Sequence, residues 1–307
     1  MSDGVLLVDK PPRLTSADVV RALKRRHGLG SIGHLGTLDP MATGLLPLCL
    51  GSATKLAQFL AAGDKAYSGT IRLGIATDTL DITGKVVAEA PVPEIDAPGL
   101  EAVAQSFVGE RLQRPPLFSA VKVGGTPLYK LARAGIAADP APRTISVEHF
   151  TARPARGARN EIEFSVRCSK GTYVRVLADE LGRALGTVAT LADLKRTEFG
   201  EFRLAEAASL DDLLACDSAA LPILAPRRAL RGFREIEVEP RLAWAIAAGQ
   251  RDALQVLNPP REEDRFACAI APNGELLAIV ERIAYGWELR RVLMPEATEL
   301  YRSRTPC

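Results

Sequence analysis

The stretch EIEFSVRCSKGTYVRVLADELGRALG, residues 161–186, decides the fold class because it predicts a strand followed directly by a helix. Apolar residues alternate with polar ones in its first part, which is the period of a half-buried strand. These inward positions are Ile162, Phe164, Val166 and Cys168. The residues SKGT (169–172) predict a turn, and the apolar residues after it recur at helical spacing up to Gly186.

Both kinds of element recur along the chain without a regular βαβ alternation. Residues 15–28 predict an amphipathic helix that begins at a Ser or Thr cap and stops at glycine. Residues 54–63 and 97–109 predict further helices, and residues 67–79 alternate at strand period. This irregular mixture favours an α+β fold over a doubly wound parallel sheet.

The C-terminal quarter has a different texture. Residues 222–240 are typical of a linker that leads into a new unit. The stretch APNGELLAIV (271–280) predicts a turn followed by a strand, and GWELRRVLM (286–294) adds a second short apolar run. We therefore expect a small β-rich domain of about 70 residues after the linker.

Composition excludes several classes of protein. The 307 residues are 47% hydrophobic and 25% charged, which is typical of a soluble globular protein. No run approaches the roughly 18 apolar residues of a membrane span. The N-terminus has an acid where a signal peptide has basic residues, and its apolar run, Val5–Val8, is short. We expect a cytoplasmic protein that does not enter a membrane.

Cysteine and histidine usage argues against metal centres and disulfides. The five cysteines are odd in number, lie far apart and form no C-x-x-C pair. The chain has only three histidines, which argues against a multi-histidine metal centre. The cysteines are Cys49, Cys168, Cys216, Cys268 and Cys307. We predict no metal site.

Charge is unevenly distributed although the net charge is only +2. Residues 111–138 contain no acid, and residues 21–27, RALKRRH, hold four basic residues in one predicted helix. The cations of the acid-free stretch are Arg111, Arg114, Lys122, Lys130 and Arg133. Such patches are either solvated faces or sites for a phosphate backbone, and charge alone leaves both interpretations open.

One carboxylate has an unusual setting. Residues 33–44, GHLGTLDPMATG, hold three glycines around Asp39, which directly precedes Pro40. Glycines allow backbone segments to approach closely, and proline restricts the residue before it. By itself, an aspartate in such a stretch can simply close a turn. It can also be a nucleophile or a partner for developing positive charge.

Several collinear motifs together resemble the bacterial tRNA pseudouridine-55 synthases, the TruB family. The N-terminal VDKPPRLTSADVV (8–20) is similar to the family's KP segment. The remaining motifs follow in the family's order and spacing between residues 33 and 200. They are GHLGTLDPMATGLLPLCLG (33–51), KAYSGTIRLGIATDTLDITG (65–84), QRPPLFSAVKVGGTPLYKLARAG (113–135), CSKGTYVRVLADELG (168–182) and LKRTEFG (194–200).

The resemblance implies a mixed, largely antiparallel sheet flanked by helices, over residues 1–235. It also implies a smaller β-barrel-like domain at 236–307, which resembles a PUA domain, and an RNA-clamping insertion at 111–143. The implied activity is isomerisation of uridine-55 in the T-loop of tRNA to pseudouridine. Neither redox chemistry nor phosphate transfer is involved, so no cofactor is expected. We expect the T-arm of tRNA as partner, no guide RNA or obligatory protein partner, and a monomer.

Site residues follow from the same motifs. Asp39 matches the family's essential aspartate, and Arg175 matches the arginine that pairs with it and offsets the cost of burying a carboxylate. Tyr67 matches the active-site tyrosine, which packs on the target base and is a candidate for moving the proton at carbon 5. An aromatic ring suits this place because a flipped base presents a π-face.

Further residues match the family's substrate contacts. Tyr173 corresponds to a second pocket tyrosine and Leu194 to the apolar wall beneath the base. His34 corresponds to a histidine that helps to open the folded RNA loop. Lys10 corresponds to the KP lysine beside the aspartate. The cations of the acid-free stretch, with Tyr129, would clamp phosphates and bases.

Some positions depart from the family pattern. Pro12 and Arg13 stand where the family's P-x-G is usual, and Phe118 stands where tyrosine is common. Leu35 replaces a small or hydroxylated residue. The proline and arginine make the conformation of their loop the least predictable of these changes.

Three other functions are weaker. A non-catalytic RNA-binding protein predicts loss of Asp39, Tyr67 or Arg175, yet all three are present. A phosphate-handling enzyme is not supported, because GSATK (51–55) lacks the spacing of a phosphate-binding loop and Asp9 lacks a Thr-Gly-Thr continuation. A relative that works with a guide RNA and partner proteins usually has longer extensions.

Overall fold

A computed structural model describes residues 3–157 and 160–294 of the chain. Cys307 and the end of the predicted PUA-like range lie outside these residues. Strands β1 to β18 are Gly4–Lys10, Ile32–His34, Thr43–Leu50, Lys65–Leu73, Ile75–Thr77, Val86–Glu89, Gly109–Gln113, Lys122–Val123, Thr126–Pro127, Arg143–Pro154, Glu161–Cys168, Ala189–Phe199, Phe202–Arg203, Ala208–Ser209, Arg234–Glu237, Phe266–Ile270, Leu276–Ile283 and Gly286–Val292.

The α-helices of the described residues range in length from 4 to 12 residues. Helices α1 to α8 are Ser16–His27, Ala57–Leu60, Ala97–Gln105, Leu128–Arg133, Val174–Ala184, Leu210–Ala215, Pro226–Ala229 and Pro240–Ala247. Four 3-10 turns are found among the described residues, at Gly51–Leu56, Leu204–Glu206, Ser218–Ala220 and Arg251–Val256. No helix in the described part of the chain is long and apolar enough to cross a bilayer.

The main sheet has ten strands among the described residues, ordered β14-β1-β3-β12-β4-β11-β10-β7, with β2 beside β3 and β13 beside β12. Only the β1–β14 and β3–β12 pairs are parallel. The remaining pairs of this sheet are antiparallel. The predicted α+β fold with a mixed, largely antiparallel sheet flanked by helices is therefore confirmed.

Apolar side chains cover both faces of this sheet. On β1, Leu6 and Val8 join the cluster that α1, α3, α5 and α6 bury against one face. Val5 and Leu7 join a second cluster, which residues 51–60 and the C-terminal sheet bury on the other face. Because successive side chains of a strand point to opposite faces, this buried strand is an almost continuous apolar run.

Three predicted elements form as expected. Helix α1 begins after a Thr15 capping box. It ends at Gly28, whose left-handed conformation allows its amide to donate to the Lys24 carbonyl. Strand β11 and helix α5 occupy most of residues 161–186, with the predicted turn between them.

Two other expectations were inaccurate. The strand predicted over 67–79 breaks at Gly74, whose φ of 87° turns the chain so that Ile75–Thr77 pairs with β6 instead. The helix predicted over 54–63 is a 3-10 turn, Gly51–Leu56, followed by one turn of α-helix, Ala57–Leu60. A periodic apolar pattern does not distinguish these two helical forms.

The C-terminal unit is a four-stranded sheet in the order β15-β16-β17-β18. Its alternation resembles that of β1, since Cys268 and Ile270 pack toward the main sheet while Ala267 and Ala269 pack toward α8. The described residues show no pairing between β15 and β18 that would close the sheet. Barrel-like closure and the domain limits 1–235 and 236–307 stay predictions.

Candidate active site

The Asp39 turn, residues 35–42 between β2 and β3, is fixed from both sides of the aspartate. The buried Ser16 hydroxyl accepts a hydrogen bond from the Leu38 amide at 2.9 Å and donates to the Leu38 carbonyl at 3.2 Å. The Lys10 ammonium, fully buried, donates to the Pro40 carbonyl at 3.4 Å. Asp39 therefore stands on a backbone that packed neighbours hold in place.

Lys10 supports the turn rather than reaching into open space. Its ammonium also donates to the carbonyls of Pro11 at 2.9 Å and Leu14 at 2.7 Å. Burial lowers the pKa of Lys10 to about 8, and the Asp39 carboxylate opposes that fall. With three carbonyl partners, the ammonium satisfies its donors inside the protein.

Arg13 shows how the chain accommodates its departure from the family's P-x-G pattern. Its backbone lies in the left-handed region, with a φ of 69°, where glycine is favoured. Its amide donates to the Pro40 carbonyl at 2.8 Å. The loop therefore keeps a glycine-like conformation and uses it to hold the residue after Asp39.

Arg175 and Asp39 form a two-point ion pair. The Arg175 Nε lies 2.9 Å from Asp39 Oδ2, and Nη2 lies 3.3 Å from Asp39 Oδ1. The arginine side chain is 5% exposed and the aspartate side chain 34% exposed. The guanidinium thus covers one side of the carboxylate and leaves the other accessible, as a bidentate pair allows.

The remaining donors of Arg175 are also engaged. Its Nη1 donates to the Thr79 carbonyl at 2.8 Å, and Nη2 donates to the Phe118 carbonyl at 3.1 Å. A buried acid, Asp81, lies 3.6 Å from Nη1. Because donors on each edge of the planar Arg175 guanidinium are hydrogen-bonded, its orientation toward Asp39 is fixed.

Asp81 was not identified from the sequence. One of its oxygens accepts hydrogen bonds from the Thr79 hydroxyl, the Thr83 amide and the Thr83 hydroxyl at 2.9, 3.0 and 2.5 Å. The threonines around it in TDTLDITG (77–84) are typical of a turn whose hydrogen bonds are accepted by a carboxylate. Asp81 and Asp39 are far apart in the chain, so no local pattern indicates that both carboxylates face Arg175.

The accessible carboxyl is also perturbed electrostatically. Burial raises the pKa of Asp39 above its usual range, and the Asp81 carboxylate adds to that rise. The Arg175 guanidinium and the Lys10 ammonium oppose it. A carboxylate that is only partly desolvated and has a fixed cation on one side can act as a nucleophile or stabilise positive charge.

Tyr67 lies on β4 beside the predicted apolar wall. Its ring is almost wholly buried, and Leu194 on β12 is buried in the same apolar cluster. Arg196, which was not singled out from the sequence, lies directly opposite Tyr67 on β12. Burial raises the pKa of Tyr67, so the phenol is neutral at neutral pH.

Tyr173 is held through its backbone at the start of α5. The buried Gln113 side chain accepts from the Tyr173 amide at 2.7 Å and donates to the Tyr173 carbonyl at 3.1 Å. Gln113 is a second residue that sequence reasoning missed. It joins the base of the segment 111–143 to the helix that carries Arg175.

His34 lies at the end of β2, half-buried, five residues before Asp39. Its Nε2 lies 3.2 Å from the Thr37 hydroxyl. Burial, with a smaller contribution from the Arg196 charge, lowers the pKa of His34, so the ring is neutral at neutral pH. A neutral ring can stack on a base without a charge to desolvate.

The predicted thumb segment, residues 111–143, contains a short β8–β9 hairpin and α4. Its cations differ in their partners. Arg111 pairs with Glu180 at 3.0 Å and packs on the Phe107 ring, while Arg114 pairs with Asp139. The three others have no salt bridge among the described residues and are exposed. They are Lys122, Lys130 and Arg133.

Possible metal ligands are dispersed in the described part of the chain. Within residues 3–157 and 160–294, no three His, Cys, Asp or Glu side chains lie close enough to hold a metal ion. The acids nearest to each other in the site, Asp39 and Asp81, both face the Arg175 guanidinium. Their arrangement favours an ion-pair network over a cation site.

Comparison with known proteins identifies the class of protein to which this fold belongs, the pseudouridine synthases. Residues 24–174 match the family described as TruB family pseudouridylate synthase, N-terminal domain. The tRNA pseudouridine synthase B of Geobacillus kaustophilus (strain HTA426) is 42% identical over 284 residues, covering 89% of this chain and 98% of that protein.

Two further similarities agree with this. The tRNA pseudouridine synthase B of Opitutus terrae is 47% identical over 225 residues, which are 73% of this chain and 91% of that protein. The structure resembles a solved Cbf5-Nop10-Gar1 complex with a TM-score of 0.73 and 25% identity, over 97% of this chain and 86% of the matched chain. The chain belongs to the TruB family of pseudouridine synthases, enzymes that isomerise uridine in RNA.

Proposed function

We propose that this enzyme converts uridine-55 in the T-loop of tRNA to pseudouridine, with Asp39 as the essential carboxylate. The observation that carries this proposal is the two-point Arg175–Asp39 pair, which leaves one side of the carboxylate accessible. The two relatives described above are both tRNA pseudouridine synthases B, which supports tRNA as the substrate.

The reaction breaks the bond between ribose and the uracil N1 and makes a bond to carbon 5. Asp39 would supply a nucleophile or an anionic partner at the sugar or the base. Tyr67 and Leu194 would contact the two sides of a uracil that has left the stack, because a flipped base needs an aromatic or apolar surface. Neither an electron acceptor nor a phosphate donor is needed, so we propose that no cofactor takes part.

Recognition of the T-arm would come from surfaces around this site. His34 and Tyr173 would contact bases displaced from the loop, and the thumb segment would close over the backbone. Its exposed cations Lys122, Lys130 and Arg133 are the members of the acid-free stretch that remain available for phosphates. The C-terminal sheet would act as a PUA-like RNA-binding domain.

We also propose that the protein acts as a cytoplasmic monomer without a guide RNA. The solved structure of similar fold described above comes from a Cbf5-Nop10-Gar1 complex, so a partner-dependent mode is the main alternative. The relatives that the chain matches over most of its length are tRNA enzymes, which favours direct recognition of tRNA. Activity of the purified chain on tRNA alone distinguishes the two modes.

The test uses an unmodified tRNA transcript tritiated at carbon 5 of uridine, with the purified chain and chelator. We expect tritium release by the unsubstituted protein, and a fall of more than about a thousandfold for Asp39→Asn, with tRNA binding largely retained. Mapping the modified nucleotide then checks position 55. Strong residual release by Asp39→Asn would refute the role of the carboxylate. Tight binding without any release would favour a non-catalytic RNA-binding protein.

A further inference from the structure

Gln113 is a buried amide at the neck of the thumb segment, where its two ends leave the sheet. It lies on β7 opposite Arg143 on β10, in the last residue pair of that ladder before the thumb segment. The residue is only 2% exposed. Glutamine is mostly found on the surface, and a buried polar side chain normally has hydrogen-bond partners. The partners of Gln113 therefore indicate what this position requires.

Both hydrogen bonds of this amide go to one residue, Tyr173. Gln113 Oε1 accepts from the Tyr173 amide at 2.7 Å, and Nε2 donates to the Tyr173 carbonyl at 3.1 Å. A primary amide is a neutral group that offers an acceptor and a donor side by side. An apolar side chain would leave the Tyr173 amide without this partner, and a carboxylate could accept but not donate. Gln113 thus holds the backbone of Tyr173 at two points.

Helix α5 has no side-chain cap of its own. Tyr173 stands at the N-cap position, and its side chain makes no capping hydrogen bond. In a capping box the third helical residue accepts from the amide of the cap residue, but here that residue is Val176, which has no polar side-chain atom. Gln113 makes the equivalent bond from a distant strand. The start of α5 is therefore fixed by tertiary structure.

The first turn of α5 also carries the arginine of the candidate site. Arg175 follows Tyr173 by two residues, and the Tyr173 carbonyl accepts from two amides of the first helical turn at 3.1 and 3.3 Å. The carbonyl that Gln113 holds is thus part of that turn. At its other end, the Arg175 side chain contacts both oxygens of Asp39. A shift of the helix start would move the guanidinium relative to the carboxylate.

We propose that Gln113 is a positioning residue, which fixes the start of α5 and thereby holds Arg175 against Asp39. The inference rests on the proposed function, because it takes the Arg175–Asp39 pair as the place of reaction. It assigns control of rate to the buried neck of the thumb segment, whereas the exposed thumb cations act on affinity. Loss of the two bonds is expected to slow the chemical step more than it weakens tRNA binding.

Gln105 offers a matched control. Its Nε2 also donates to a backbone carbonyl of the main sheet, that of Phe150, at 3.0 Å, and so links α3 to β10. Its other partner is Glu101, on its own helix. Gln105→Met therefore makes the same substitution at a glutamine that joins a helix to the sheet, without changing a contact of α5.

The first experiment measures single-turnover tritium release and tRNA affinity of the full chain for Gln113→Met and Gln105→Met. We expect Gln113→Met to react about tenfold more slowly, with tRNA affinity within about threefold, and Gln105→Met to stay within about twofold in both. An unchanged rate for Gln113→Met, or a loss of affinity equal to the loss of rate, would overturn the proposal.

A second variant covers the case in which Gln113→Met does not fold. Gln113→Glu keeps the acceptor for the Tyr173 amide and loses the donor to the carbonyl at neutral pH. We expect it to react about fivefold more slowly, again with affinity within about threefold. A rate equal to that of the unsubstituted chain would contradict the proposal in the same way.

A double-mutant cycle tests whether Gln113 acts through Arg175. In Arg175→Lys the fork that Gln113 aligns is already lost, so adding the Gln113 substitution should slow the reaction further by less than about threefold. Independent effects would multiply, and the full loss seen for the single Gln113 variant would then appear again. That result would show that Gln113 does not act through the arginine.

Hydrogen exchange of the Tyr173 amide separates failure of this inference from failure of the proposed function. We expect slow exchange in the unsubstituted chain and in Gln105→Met, and faster exchange in the Gln113 variants. No tritium release with a protected amide would mean that the proposed function fails while the bond stands. Tritium release with an unprotected amide in the unsubstituted chain would mean that the inference fails while the function stands.

Discussion

The Asp39 turn and the thumb segment both contact the Arg175 guanidinium, but they are held in different ways. Lys10, Ser16 and Arg196 fix the turn through buried hydrogen bonds to its backbone. The thumb segment contributes the Phe118 carbonyl to the same guanidinium, yet most of its hairpin and its cations are exposed.

This difference separates two tasks. A reacting group has to be held within a fraction of an ångström, which requires neighbours that are themselves packed. A surface that closes over RNA can bind through exposed cations, whose interaction with phosphates tolerates movement but is weakened by salt. We therefore expect substitutions in the turn to change rate and substitutions of exposed residues in the thumb segment to change affinity.

After Asp39→Asn, the largest effect should come from Arg175→Lys. A lysine cannot hold both oxygens of Asp39 while also donating to the Thr79 and Phe118 carbonyls. We expect the single-turnover rate to fall about a hundredfold, with tRNA affinity nearly unchanged. Arg183→Lys, on the exposed side of the same helix, is the control and should keep the full rate. A loss of affinity equal to the loss of rate would remove the distinction between the two regions.

The next effect concerns the exposed thumb cations. In the triple variant Lys122→Gln, Lys130→Gln, Arg133→Gln, we expect tRNA affinity to fall about tenfold at moderate salt. The dependence of log affinity on log salt should flatten by roughly 2, at about 0.7 per lost phosphate contact. The rate at saturating enzyme should not change.

Two comparisons sharpen that result. Arg153→Gln, an exposed cation at the opposite end of β10, should leave the salt dependence as it is. Arg111→Gln should also have little effect on affinity, because its guanidinium already pairs with Glu180. An unchanged slope in the triple variant would assign the affinity to another surface.

A smaller effect is expected at the border of the two regions. His34→Ala removes a neutral ring that would occupy the space of a displaced base. We expect KM for folded tRNA to rise about fivefold, as loss of one stacking contact implies, with kcat little changed. Unchanged kinetics on folded tRNA would contradict the role of the ring in opening the loop.

The subtlest effect is on pH dependence. We propose that the ionised form of Asp39 is the reactive one. Because burial raises the pKa of this carboxyl, the rate should then fall at a higher pH than for an ordinary aspartate with a pKa of 3.8. Above the raised pKa the rate is expected to be flat. Arg175→Met removes the main group that opposes the rise, so the acid limb should move to still higher pH. A limb that moves to lower pH would contradict this assignment.

Part of the site was predictable because its residues lie in motifs with a local signature. The glycines and proline around Asp39 indicate a turn, and the strand period around Tyr67 places it on the sheet. The turn at SKGT predicts the start of the helix that carries Arg175. The break at Gly74 was missed, since an alternating pattern continues past a residue with positive φ.

The partners of these residues were not predictable in the same way. Arg196 meets Tyr67 and Gly44 only through the register of three strands that are far apart in the chain. Ser16, Asp81 and Gln113 likewise act on backbone or side chains brought to them by packing. A one-residue change in register would move a side chain to the other face of the sheet, and no local pattern encodes that pairing.

The α+β class, most of the local elements and the types of residue at the candidate reactive positions were predictable from the sequence alone. Periodicity, caps and turns depend on residues that are close together in the chain, so they can be predicted from a single sequence. Which arginine spans the Asp39 turn, by contrast, follows only from the assembled sheet. The tertiary structure also decided which thumb cations remain exposed. These outcomes depend on burial and on the pairing of distant strands, which arise only when the whole sheet has assembled.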